Sequence, residues 1–170
     1  LRLSKAESPV TGQCSKLQIL MGDKLNWSKS FEPMNAYTLA DLTAGFLVEK
    51  ECSVTSEDIL AFAEFSGDWS SIHIDPEYAQ DRGFDGCLVH GMLIGSLISG
   101  FIGMALPGKH GLLHGVNLDF RLPIYAPDCL KIIGTVKRVS EVTKMALIDL
   151  EVYGGNGQKR ISGQATTILK

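Results

Sequence analysis

Residues 86–108 contain no Lys, Arg, Asp or Glu, and this uncharged run limits what the rest of the chain can fold into. It is as long as a membrane span, which needs ~20 apolar residues. His90, Ser96, Ser99, Pro107 and several glycines interrupt it, and hairpin-like sequence flanks it, so a buried helix is the better reading. At 100° per residue over 92–106, Leu93, Ile94, Leu97, Ile98, Phe101 and Met104 share one side. Gly95, Ser96, Ser99, Gly100 and Gly103 share the other. A helix uncharged all round is expected to be buried on every side, and its small-residue face would let a backbone, a second helix or a ligand approach closely.

Such a helix needs a sheet around it, and the flanking sequence supplies one. Residues 45–53 and 130–142 look like strands, as does 115–125, which alternates through Val116, Leu118 and Phe120. Residues 145–153 and 160–169 flank Gly154-Gly155-Asn156-Gly157, a strong hairpin signal. Before the central helix, Thr55 and Asp58 have the spacing of a capping box. Ile59, Phe62, Ala63 and Phe65 give that helix an apolar face, and Gly67 stops it. A loop over 68–76 follows, then a helical turn over 76–81 opened by Asp75-Pro76. The periodicity predicts an α+β domain with an antiparallel sheet wrapped around a long buried helix. Residues 1–38 show no periodicity and are expected to form an irregular N-terminal extension, leaving 39–170 as a single domain.

With 170 residues, 45% of them hydrophobic, the chain can bury one core. A net charge of -3 offers no basic surface for a phosphate backbone, so nucleic acid is not an expected partner, nor is a membrane. Cys14, Cys52, Cys87 and Cys129 are scattered, without zinc-site spacing, and read as buried thiols of a reducing compartment. Residues 1–38 lack the apolar block of a signal peptide. The expected location is cytoplasmic, with the mitochondrial matrix as the alternative if a targeting segment has been lost.

The chemistry concentrates in Ser66-Gly-Asp-Trp-Ser-Ser-Ile-His-Ile-Asp-Pro-Glu-Tyr-Ala79. A loop just beyond a helix end can turn Asp68 and His73 toward one point, with a water held between them. A carboxylate beside an imidazole fixes the tautomer of the ring and suits general acid/base work near neutral pH. The same residue types also serve as a helix-end cap and a surface histidine. His90 reads as a structural ring holding the loop before the central helix. His110 and His114 have no ligand spacing, and no metal is expected.

This segment resembles the signature S-G-D-x-N-P-x-H-x-D-P-x-x-A of MaoC-like (R)-specific hydratases. Leu88-Val-His-Gly-Met-Leu-Ile-Gly-Ser-Leu-Ile-Ser-Gly100 is similar to the V-H-G-M helix start of that family, and Leu106-Pro-Gly108 and Phe120-Arg-Leu-Pro-Ile-Tyr125 also match in order. The resemblance covers residues 39–170. It implies a hot-dog fold, usually a homodimer, in which Asp68 and His73 are the catalytic pair. Gly91 would offer its N–H to the thioester carbonyl, and Ser99 would help orient the substrate. The family's Asn-Pro is here Ser70-Ser71, which leaves the loop less rigid. The implied activity is hydration of trans-2-enoyl thioesters, carried on coenzyme A or acyl carrier protein, to (R)-3-hydroxyacyl thioesters, or the reverse dehydration. No cofactor is needed. A catalytically silent subunit that binds acyl thioesters or a partner protein is the alternative, and a hot-dog thioesterase is a more distant one.

Overall fold

The uncharged run forms the helix around which everything else is arranged. In the computed structural model, residues 33–170 are described, so most of the expected N-terminal extension lies outside the described residues. A 3-10 turn, Leu39–Asp41, precedes β1 (Leu47–Val54), α1 (Ser56–Ser66), α2 (Ser71–Ile74) and α3 (Pro76–Asp81). Then come α4 (Gly91–Met104), β2 (Gly111–Phe120), β3 (Asp128–Ser140), β4 (Met145–Tyr153) and β5 (Lys159–Leu169). The strands form one antiparallel sheet in the order β1-β3-β4-β5-β2. This is the α+β architecture expected, a sheet wrapped on one central helix. No helix is long and apolar enough to cross a membrane.

Alternation along β3, β4 and β5 sends Leu130, Ile132, Val136, Ile148, Leu150, Val152, Ile161 and Ala165 inward. They join Leu93, Ile94, Ile98, Phe101 and Ile102 of α4 in one core. The helix lies close to the sheet because Gly134 has no side chain: a Cβ there would stand 2.7 Å from Cε1 of Phe101.

Two bulges keep the apolar phase. In β2 the register shifts between Leu113 and Gly115. Residues of opposite parity, Leu113 before the shift and Val116, Leu118 and Phe120 after it, therefore face the helix side together. A shift between Val136 and Arg138 does the same for Val139, which pairs with buried Ala146.

The capping box at α1 forms as the spacing predicts: the Asp58 N–H donates to Thr55 Oγ1 and the Thr55 N–H to Asp58 Oδ2. Gly67 ends the helix in the left-handed region, at φ 75°. Asp75 accepts from the N–H groups of Glu77 and Tyr78, with Pro76 as the first helical residue of α3.

Four expectations need correction. The central helix is not buried on every side, since Met92, Ser96, Ser99 and Gly100 are exposed where no strand covers them. Phe65 is 89% exposed, because α1 presses on the rest of the molecule mainly through Ile59 and Ala63. The strand expected over 115–125 is Gly111–Phe120, since after Phe120 the chain leaves the ladder for Arg160 and then Leu88. The loop over 68–76 contains α2, so His73 rides on a helical turn.

Candidate active site

The start of α4 is held in place by backbone bonds from two directions. The Leu88 N–H donates to the Ile72 carbonyl at 3.0 Å, and the Val89 N–H to the Ile124 carbonyl at 2.8 Å. This stitch joins the segment before α4 to α2 on one side and to the strand-like residues after β2 on the other. The two blocks quoted from the sequence thus meet in space.

His73 is pinned by the same segment. Its Nδ1 lies 2.7 Å from the Leu88 carbonyl oxygen, which can only accept, so the ring proton sits on Nδ1. The lone pair is then on Nε2, which lies 4.0 Å from Asp68 Oδ2. That is too long for a direct hydrogen bond but leaves room for a water ~2.8 Å from both atoms. Asp68 follows the helix-ending Gly67, and Oδ1 accepts from the Ser70 N–H at 3.3 Å. Its other oxygen is thereby turned toward His73. The two side chains differ in exposure, 51% for Asp68 and 15% for His73, so the water would sit at the mouth of the cleft.

Behind the pair stands His90. Its ring is 1% exposed and stacks on His73, with centroids 3.8 Å apart and planes 27° from parallel. Nε2 lies 2.9 Å from the Asp68 carbonyl oxygen. The expectation of a structural ring holding the loop before the helix understated this residue, which grips the loop that carries the acid/base pair. Only its place beside Gly91 in the quoted block hinted at that; the contact to Asp68 spans 22 positions.

Asp68, His73 and His90 each bring a donor atom within 4.8 Å of the others, the arrangement that could hold a metal ion. The stacking works against it. Imidazole lone pairs lie in the ring plane, so nearly parallel rings send them along parallel lines rather than to one point.

Gly91 is the first residue of α4, and its N–H has no carbonyl a turn behind it to bond. It is adjacent to His90, which places a free backbone donor beside the pair. A Cβ on Gly91 would come 3.0 Å from Cε1 of Phe120, so that ring lies against the start of the helix. Phe120, which sequence reasoning took only as a strand residue, walls this donor. Ser99 is not brought to the pair: it lies two turns along α4, ~12 Å at 1.5 Å per residue, on the exposed face. Ser70 and Ser71 open α2, with Ser70 in extended backbone at ψ 133° and Ser71 as the first helical residue. Cys87, next to Leu88, is no nucleophile: burial first, and the Asp75 charge second, push its thiol up.

A family model described as "MaoC like domain" matches residues 40–153. The chain is 33% identical over 112 residues to an (R)-specific enoyl-CoA hydratase of Aeromonas caviae, covering 66% of this chain and 84% of that one. It is 38% identical over 146 residues to a mitochondrial 3-hydroxyacyl-[acyl-carrier-protein] dehydratase of Arabidopsis thaliana, covering 83% and 84%. Among solved structures, the (R)-hydratase from A. caviae superposes with a TM-score of 0.72 at 30% identity, covering 76% of this chain and 98% of that one. An R-hydratase from Pseudomonas aeruginosa gives 0.74 at 30% identity, covering 81% and 87%. With the fold, both blocks and these relatives in agreement, the chain belongs to the MaoC-like hydratase/dehydratase family and has its hot-dog fold.

Proposed function

We infer that this protein catalyses the (R)-specific addition of water across the 2,3 bond of trans-2-enoyl thioesters, or the reverse dehydration. The observation that carries the reading is the 4.0 Å gap between His73 Nε2 and Asp68 Oδ2, with the His73 tautomer fixed by the Leu88 carbonyl. A water in that gap donates one proton to each acceptor, which leaves an oxygen lone pair free to attack C3. One of its O–H bonds breaks, the hydroxyl stays on C3, and the proton taken up by the pair is delivered to C2. No net proton is exchanged. As the bond to C3 forms, negative charge moves onto the thioester carbonyl oxygen, where the Gly91 N–H and the helix N-terminus stabilise it. The resemblance to relatives named as (R)-specific hydratases supports the handedness.

Both kinds of carrier occur among the relatives' names, coenzyme A and acyl carrier protein. Absorbance of the conjugated enoyl thioester tests the reading, with crotonyl-CoA and purified protein. Hydration bleaches the band. An unbleached band with measurable binding would point to a silent acyl-thioester subunit, and release of free thiol would point to a thioesterase. Either result overturns the reading.

A further inference from the structure

We propose that His90 is a positioning residue that sets the geometry of both members of the acid/base pair with one side chain, a role that rests on the function proposed above only for its kinetic consequence. Asp68 and His73 come from a short segment with little packing of its own: Asp68 is exposed, and α2 is a single turn. The Ser66 Oγ accepts the Asp68 N–H at 3.2 Å, which fixes one side of that residue's backbone. The other side, its carbonyl, is held by His90 Nε2 at 2.9 Å. The carbonyl can only accept, so the His90 proton sits on Nε2. The remaining nitrogen, Nδ1, is buried with no hydrogen-bond partner among the described residues, so the ring has one polar attachment, and it is Asp68.

The flat face of the ring does the second task. His73 is tied at Nδ1 to the Leu88 carbonyl, but one bond leaves its ring free to rock about that point. Stacking on His90 removes this freedom and keeps Nε2 aimed at Asp68. His90 is itself braced by the Phe62 ring of α1, with centroids 5.1 Å apart. It is also the residue immediately before α4, between the bonded Val89 and the Gly91 donor. A ring anchored to the most rigid helix of the molecule therefore carries the geometry of that helix to the loop. The Asn-Pro of related sequences is here Ser70-Ser71, so this loop depends on an outside brace.

The test compares His90→Phe with His90→Gln in the full chain. Phenylalanine keeps a flat ring and discards the Nε2–H, and the Nδ1 it removes had no partner, so the core loses nothing polar. Glutamine returns an N–H donor with similar reach. In His90→Phe the turnover number on crotonyl-CoA is expected to fall about tenfold or more with KM within about threefold, since small misplacements of reacting groups are costly. His90→Gln is expected to recover to within about threefold of wild type. Amide hydrogen exchange at Ser70 and His73, read by NMR, is expected to quicken about tenfold in His90→Phe and return in His90→Gln, with melting temperatures close to wild type. In the wild type, ring nitrogen shifts should report the Nε2–H tautomer of His90. Unchanged exchange in His90→Phe overturns the proposal whatever happens to turnover, as does a glutamine variant as impaired as the phenylalanine one. Faster exchange in a protein whose wild type does not hydrate enoyl thioesters would overturn the proposed function and leave this inference standing.

Discussion

At the scale of single residues, the site depends on two backbone carbonyls more than on any charge. The Leu88 and Asp68 oxygens assign the tautomers of His73 and His90, and these leave Nε2 of His73 as the lone-pair atom facing the carboxylate. The pairing of Asp68 with His73 was legible in the sequence, because five positions of one short segment carry it. The tautomers were not, because their acceptors lie 15 and 22 positions away. Asp68→Asn and His73→Ala should each lower turnover by at least ~100-fold, since each removes one acceptor of the attacking water's protons. Both side chains lie at the cleft mouth, outside the core, so the melting temperatures should stay near wild type. Turnover within a few-fold of wild type in both variants would refute the mechanism. The stacked rings lead to a companion expectation: dialysis against EDTA leaves turnover unchanged, and a loss restored by added zinc would show that the three residues hold a metal after all.

At the scale of elements, what could be read locally was read, and what depended on a neighbour was not. The α1 cap, the Gly67 stop, the Asp75-Pro76 start of α3 and the β4–β5 hairpin are each decided within a few residues. The two bulges are decided by the partner strands, and a four-residue helix such as α2 has no period to detect. The departure at Ser70-Ser71 can now be weighed. Ser70 already has φ -57° and ψ 133°, the extended conformation favoured before proline, and Ser71 is the first residue of α2, where proline is well tolerated. Ser71→Pro should therefore stabilise the fold by ~0.4–1 kcal/mol with turnover kept or raised, as read by chemical denaturation beside the crotonyl assay. A destabilised variant would show that this turn needs the Ser71 N–H. The small face of α4 yields a second test. A Cβ on Gly103 would meet nothing within 4 Å, and one on Gly95 would meet only the flexible end of Met92 and, at 3.8 Å, Leu118. Neither position is wedged into the core, so an acyl chain running along this face fits better than tight packing. Gly103→Leu should then lower hydration of an eight-carbon enoyl thioester relative to a four-carbon one without lowering the melting temperature. An unchanged ratio with a lower melting temperature, from ~1–3 kcal/mol of overpacking, would favour packing instead.

At the scale of the whole molecule, the two ends of the sheet are finished differently. β1 is an edge strand with Glu49, Lys50 and Glu51 in a row, and charges of this kind discourage edge-to-edge pairing. β2, the other edge, has no such protection over Leu112, Leu113, Val116, Leu118 and Phe120. Val116 and Phe120 point to the helix side of the sheet yet remain 44% and 51% exposed, because α4 covers the middle of the sheet and leaves its margin bare. Beside them lies the open face of α4, with Met92 59% exposed and Ser96, Ser99 and Gly100 in line. An uncharged helix face and an unprotected apolar edge on the same side account for the sequence expectation that failed, a helix buried all round: the missing wall is outside this chain. A second copy related by a two-fold axis would supply it, β2 pairing with β2 so that each edge protects the other, and Ser99 would then line a covered cleft rather than open solvent. Sedimentation at micromolar concentration should find a homodimer. Val116→Lys sets a charge on the strand that would pair and leaves the Asp68–His73–His90 cluster untouched, so it should shift the protein toward monomer. If the acyl path is closed by the second copy, activity on eight-carbon substrates should fall in step with the dimer fraction. A wild-type monomer, or a Val116→Lys dimer as tight as the parent, would show that β2 is not the pairing edge.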